Sequence, residues 1–323
     1  MYKWIKVLEF GLLGWYIIKT KPSLTSVVFP LSLGVLYSSV LAIAQFVLQH
    51  SMGGPLWFLG ERTFTIDTPG IARFDGCQLS AVSCQLFLRP YATFSHPNVL
   101  GGFLAVTLPL LIIRPIRPIL PIRPMNETML KIFQWATISL GMIALILTFS
   151  RSAIVVGIIS TGLTLWQKFP KKRYLIFLFA FIFLITYHVS RIAPNDESII
   201  VRQQLNQAAV KLWQQSPLVG IGLGNFLVKL PEALPSRSVY FLQPVHNIYL
   251  LLLSEAGVIG FLFFLFLLWM IYQKKPFGIW HLAFGILLIL GFIDHYPLTL
   301  QQGQLLLTLV LSLNLVASQR KIS

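Results

Sequence analysis

Apolar runs of roughly twenty residues, recurring along almost the whole chain, constrain this sequence more than any other feature, because that is the length a bilayer's hydrocarbon core demands of a helix. Strong runs occupy 24–48, 99–113, 132–149, 151–166, 174–189, 248–271, 277–293 and 298–316. A weaker one at 4–18 carries Glu9 and is either a short first span or an interfacial helix. With 56% hydrophobic residues and only 11% charged, a soluble domain could not hide this much apolar surface. The expected fold is all-α: a polytopic integral membrane helical bundle with about eight or nine transmembrane helices, forming a single transmembrane domain over 1–323. Lys3, Lys6 and Glu9 interrupt the first run and no small-residue cleavage site follows, so no cleavable signal is expected.

Charge sets the orientation. The formal net charge of +15 excludes little by itself, but the basic residues lie in short clusters between apolar runs, a topogenic pattern and not a nucleic-acid face. Lys19 with Lys21, the RPIRPILPIRP connector at 114–124, KFPKKR at 168–173, Lys274 with Lys275, and Arg320 with Lys321 all fall on one side if every strong run crosses. That side is cytoplasmic by the positive-inside rule. Repeated Arg-Pro steps cannot continue a helix, so 114–124 is an extended connector. The opposite face receives the external loops 49–95 and 191–247, the turn at Arg151, and the turn at Asp294 and His295. The two cysteines, Cys77 and Cys84, share the first loop and are either bridged or free thiols.

The external face gathers groups suited to a phosphorylated ligand. Arg151 opens a helix after the tight turn TFSRSA. Arg202 lies in SIIVRQQLNQAAVKLW, whose Ile199, Leu205, Ala209 and Leu212 recur at helical spacing; that amphipathic helix is expected on the membrane surface, with Trp213 as anchor. PLVGIGLGNF at 217–226 is either a plain turn or a loop whose backbone amides approach an anion. His246 and Asn247 stand at the mouth of the run HNIYLLLLSEAGVIG at 246–260, which contains Glu255, Gly257 and Gly260. An arginine near a helix end can simply reach the interface, and a histidine there can merely cap a helix. Together, two guanidinium forks and one titratable imidazole suit a lipid diphosphate carrying a sugar: the arginines hold the diphosphate and His246 takes a proton from an acceptor hydroxyl. Asp294 is placed to orient His246 or an arginine, while Gly257 and Gly260 read as close-contact positions.

His246-Asn247, nine residues, then Gly257-x-x-Gly260 resembles the signature of the O-antigen ligase/polymerase superfamily. HPNVLGGFLA at 96–105, TFSRSA at 148–153, and Arg202 leading into PLVGIGLGNF follow in the family's order, so the resemblance runs from about residue 45 to the C-terminus. It implies a metal-independent, cofactor-free transferase at the external (periplasmic) face of the bacterial inner membrane. Its donor would be a glycan on undecaprenyl diphosphate, and its acceptor a hydroxyl of lipid A core, glycan or protein. By position, the resemblance makes His246 the base, puts Arg151 and Arg202 on the diphosphate, and leaves Asn247 and Asp294 in support. Members usually carry more spanning helices upstream, which implies a short form or a truncated reading frame. Within the superfamily a polymerase is the alternative to a ligase; outside it, the rivals are a lipid-linked glycan carrier and a membrane scaffold without catalysis.

Overall fold

The computed structural model describes residues 2–75, 85–113, 126–169, 197–234, 243–273 and 279–319. Cys77, Cys84, the connector at 114–124, the run at 174–189, Lys274, Lys275, Arg320 and Lys321 lie outside them, as does most of the 168–173 cluster. The architecture is all-α apart from one short hairpin, and it divides into two compact units, Met1–Lys21 with Asn195–Ser323, and Pro22–Pro194.

The Pro22–Pro194 unit contains α2 (Leu24–Leu48), the antiparallel strands β1 (Arg73–Asp75) and β2 (Leu86–Leu88), α3 (Pro97–Ile113), α4 (Glu127–Leu147) and α5 (Arg151–Lys168). Helix α3 packs against α2, α4 and α5 and is buried along nearly its whole length. Small residues permit that approach: a side chain at Gly157 on α5 would stand 3.3 Å from the Ala105 Cα on α3.

The loop after α2 is tied down by a polar knot. The fully buried amide of Gln45 accepts from the Tyr91 and Ala92 N–H groups and donates to Glu61 Oε1 at 2.8 Å; Glu61 in turn accepts from the Met52 and Gly53 N–H groups, each at 2.8 Å. The Gln45 and Glu61 side chains are buried, so leaving one of them without its partner costs about 1–3 kcal/mol. Gln45→Ala is therefore expected to lower the unit's unfolding free energy by at least that much and to raise protease sensitivity within 49–75, measured by limited digestion in detergent. Rings of Phe46, Phe74, Phe87 and Phe149 pack on one another in the same unit. Arg89 donates through Nε to the Thr148 carbonyl and through Nη2 to Asn98 Oδ1, clasping the turn that ends in Arg151.

The other unit contains α1 (Tyr2–Thr20), α6 (Glu197–Gln215), α7 (Phe226–Ala233), α8 (Ile248–Tyr272), α9 (Ile279–Gly291), the single turn α10 (Tyr296–Thr299) and α11 (Gln301–Gln319). Helix α1 packs against α11. Leu205, Ala208, Ala209 and Leu212 of α6 are buried with Phe226, Leu230, Val245 and Leu251, so this amphipathic face covers protein. Ile199 falls outside that face and is half exposed. Trp213, expected as an interfacial anchor, donates its indole N–H to the Pro217 carbonyl.

Among the described residues, α2, α4 and α8 are long and apolar enough to cross a membrane. Helix α8 is interrupted. Gly257 has φ 65° and ψ −171°, and the turn after α6 fills the gap: Ile221 and Gly222 donate to the Ser254 and Glu255 carbonyls, while Val258 and Ile259 donate to the Pro217 and Leu218 carbonyls. A backbone break at membrane depth is tolerated only where protein supplies such partners. The 217–226 segment is thus a splint for α8, and Gly257, read from sequence as a contact glycine, is the break itself.

Candidate functional site

The mouth of α8 is built by its cap. Asn247, in extended backbone conformation, accepts with Oδ1 from the Tyr249 and Leu250 N–H groups, which fixes where the helix starts. His246 is thereby held just outside the helix, and Asn247, not His246, does the capping. Across from it, the chain leaves α9 at Asp294 and His295 before α10 begins.

These side chains converge. His246 Nδ1 lies 3.6 Å from Asp294 Oδ1, slightly beyond a hydrogen bond, with the two side chains 15% and 11% exposed. His246 Nε2 is 3.1 Å from Gln243 Oε1. The His295 ring centroid is 5.0 Å from that of His246, and the Asp294 carboxylate accepts the His295 backbone N–H at 2.8 Å. Asp294 is buried.

Two cations bear on the same place. Burial pushes the His295 pKa from 6.5 to about 4; Asp294 pulls it up, while His246, Lys3 and Arg202 press it further down. His295 is therefore neutral at pH 7. Lys3 reaches the site from α1: its Nζ is 3.3 Å from both carboxylate oxygens of buried Glu255, and its alkyl chain lies along Gly224. Glu255 Oε1 also accepts from the Phe226 N–H at 3.2 Å, joining the splint, the start of α7 and α1.

Of the residues singled out in the sequence, His246, Asn247, Asp294 and Arg202 belong to one neighbourhood. Arg151 belongs to the other unit, as the exposed first residue of α5, after a Phe149 held at φ 48°. Sequence reasoning missed His295, Gln243 and Lys3 as site members. His295 was legible only as half of a turn and Lys3 only as a break in an apolar run. A ring nitrogen from each of His246 and His295 and a carboxylate oxygen of Asp294 lie within 4.8 Å of one another, a set able to ligate a divalent cation. The positive charges of Lys3 and Arg202, whose fields act on His295, oppose one.

The described residues are helical apart from one short hairpin, include three helices long and apolar enough to cross a membrane, and bring His246, Asp294 and His295 together at the mouth of α8. Residues 136–265, less than half of the chain, match the family model described as O-antigen ligase, and this supports the O-antigen ligase superfamily as the chain's family. The matched segment contains Arg151, Arg202 and the 246–260 stretch; Lys3, Asp294 and His295 lie outside it. No curated protein and no solved structure matches the chain. Over residues 136–265 the chain is thus similar to the O-antigen ligase family, and three of its described helices are long and apolar enough to cross a membrane.

Proposed function

We propose that the protein transfers a glycan from polyprenyl (undecaprenyl) diphosphate to an acceptor hydroxyl, in the manner of an O-antigen ligase. The setting is the external face of a bacterial inner membrane, with eight or nine crossings forming one domain and 49–95 and 191–247 outside. The observation that carries this is the pairing of His246 with buried Asp294 beside the positive charges of Arg202 and Lys3. With Nδ1–H turned towards Asp294, His246 presents Nε2 as the base. Gln243 Oε1 is an acceptor and cannot bond that lone pair, so the Gln243 amide swings away as the acceptor hydroxyl donates its O–H to Nε2.

The acceptor oxygen attacks the anomeric carbon from the face opposite the diphosphate. The carbon–oxygen bond to the diphosphate breaks, its electron pair leaves with the diphosphate, and the acceptor proton passes to His246 Nε2. One displacement inverts the anomeric centre. Asp294 stabilises the imidazolium so formed, and Arg202 stabilises the charge that grows on the departing diphosphate. Arg151 is assigned to the diphosphate as well, from its place in the family's order of motifs. Lys3 adds positive potential while remaining paired with Glu255.

The carrier reading asks for broken helices, and α8 is broken. Its freed backbone groups at 254–259, however, are taken by the 217–222 splint and not left facing a cavity. Purified protein in vesicles with undecaprenyl-diphosphate-linked glycan and lipid A core decides the matter. Transfer releases undecaprenyl diphosphate and yields one capped adduct, a polymerase yields a ladder, and a carrier moves the donor between leaflets without consuming it. The transfer needs no Lewis acid, so excess EDTA is expected to change its rate by less than about twofold. Loss of turnover with EDTA, restored by a divalent cation, would assign the His246-Asp294-His295 set to a metal.

A further inference from the structure

Between Ser51 and Glu61, the stretch MGGPLWFLG at 52–60 has no charged and no polar side chain. Met52, Trp57, Phe58 and Leu59 are exposed, Phe58 to 83%, and the Trp57 and Phe58 rings meet edge to face at 5.1 Å. An apolar ridge of this kind is a contact surface. Its depth says what it contacts. The Tyr37 hydroxyl donates to the Leu59 carbonyl at 3.4 Å, so the stretch folds back along α2; from Leu48 down to Tyr37 is about 16 Å of helix axis. Side chains on a helix lean towards its N-terminus, so the ring does not lift this contact back to the helix mouth. With 25 residues α2 is about 37 Å long, more than a hydrocarbon core of about 30 Å. Even with Leu24 at the inner boundary, the core reaches about residue 43, which leaves Tyr37 about 9 Å inside it. Tyr37 also shares one face of α2, by helical spacing, with Leu33, Val40 and Val47, all three exposed.

The backbone of the stretch is equipped for that depth. Glu61 holds the Met52 and Gly53 amides, and the Leu56, Phe58, Leu59 and Gly60 amides donate to the Gly53, Pro55, Leu56 and Trp57 carbonyls. Pro55 has no amide to satisfy. Non-helical backbone within a membrane is tolerated only with such partners. Resting on the reading that α2 crosses the membrane, we infer that residues 54–60 are a re-entrant wedge within the external loop 49–95, whose Trp57, Phe58 and Leu59 side chains insert among the acyl chains of the outer leaflet. Glu61, bonded to Gln45 and to the two amides at the wedge's start, pins both of its ends. The wedge thereby sets the depth of the polar knot against that leaflet.

The test reads Trp57 in the full chain, reconstituted in phosphatidylethanolamine and phosphatidylglycerol vesicles. The difference in emission between the unaltered chain and Trp57→Phe isolates this residue among the eight tryptophans. Replacing part of the lipid with phosphatidylcholine dibrominated on its acyl chains should remove most of that emission. Iodide on both sides of the membrane should remove little. Leu33→Trp and Asp67→Trp, each made in the Trp57→Phe chain, are the references: the first should follow the bromolipid, and the second, at an exposed acid of the same loop, should follow iodide. Phe58→Ser with Leu59→Ser strips apolar surface from the wedge, leaves its backbone bonds in place, and should shift Trp57 towards iodide. Quenching of Trp57 by iodide and not by bromolipid overturns the inference. Quenching by neither overturns it as well, since the ridge is then covered by protein such as a second copy of the chain. Bromolipid quenching abolished by one equivalent of undecaprenyl diphosphate gives the ridge to the carrier's tail and overturns its insertion among bulk acyl chains. If Leu33→Trp follows iodide, the spanning reading of α2 fails instead, so the two failures are separable.

Discussion

Gly257→Ala is expected to abolish folded protein. At φ 65° and ψ −171° the residue occupies a region that is essentially reserved for glycine, and a non-glycine there costs about 1–3 kcal/mol in backbone strain alone. The added methyl would also come within 3.0 Å of the Leu218 carbonyl carbon and oxygen and of the Val219 nitrogen, all of them backbone. Backbone cannot swing aside as a flexible side chain can, so relief requires lifting the 217–222 splint from α8. That breaks the hydrogen bonds from Ile221, Gly222, Val258 and Ile259, at about 1–3 kcal/mol for each group left without a partner. The sum rivals the whole stability of a typical domain, about 5–15 kcal/mol. Gly220→Ala meets the Glu255 carbonyl from the other side and should fail in the same way. Gly11→Ala, with nothing within 4 Å of the new methyl, is the control that should accumulate normally. Size-exclusion chromatography in mild detergent reads the outcome, and a monodisperse Gly257→Ala peak at the level of the control would show that α8 does not depend on its break.

That break illustrates what could be read from the chain and what could not. Spans were legible because burying apolar residues in lipid needs only length and hydropathy: the run at 24–48 became α2 over the same residues, and the positions Leu205, Ala209 and Leu212 did form a buried face. Partners far apart in sequence were not legible. Nothing near Gly257 says that its φ is positive; the reason lies in a turn nearly forty residues upstream whose carbonyls need the space. The same holds for Lys3, whose partner Glu255 is 252 positions away, and for Glu61, whose burial is made tolerable by Gln45 and two backbone amides. At the site, the histidine at the head of an apolar run was visible, as was the acid at the 294 turn. Their approach was not, since it depends on α8 and α9 presenting their ends to the same place. His295 went unread because a histidine beside an aspartate in a turn has the same sequence signature whether it is solvated or buried. Burial makes the difference.

His246→Ala is expected to lower kcat for glycan transfer by about 10²–10⁴, the range that a positioned general base contributes. Donor binding should change little, because the charges that attract a diphosphate, on Arg202 and Lys3, are untouched, and removing an imidazole takes no positive charge from them. The comparison that gives the result meaning is Arg202→Ala, which should weaken donor binding and also slow turnover, since leaving-group charge grows in the transition state. Asp294→Asn should fall between them: the imidazole remains, but the carboxylate 3.6 Å from Nδ1 no longer stabilises its protonated form. A scaffold or a carrier predicts no such ordering, because neither needs a base beside an acid. Single-turnover rates with labelled undecaprenyl-diphosphate glycan, taken together with the donor dissociation constant for each variant, separate the cases. If His246→Ala turns over at the unaltered rate, proton removal has no part in this site, and the contact with Asp294 must then be understood as a fastening between the mouth of α8 and the end of α9.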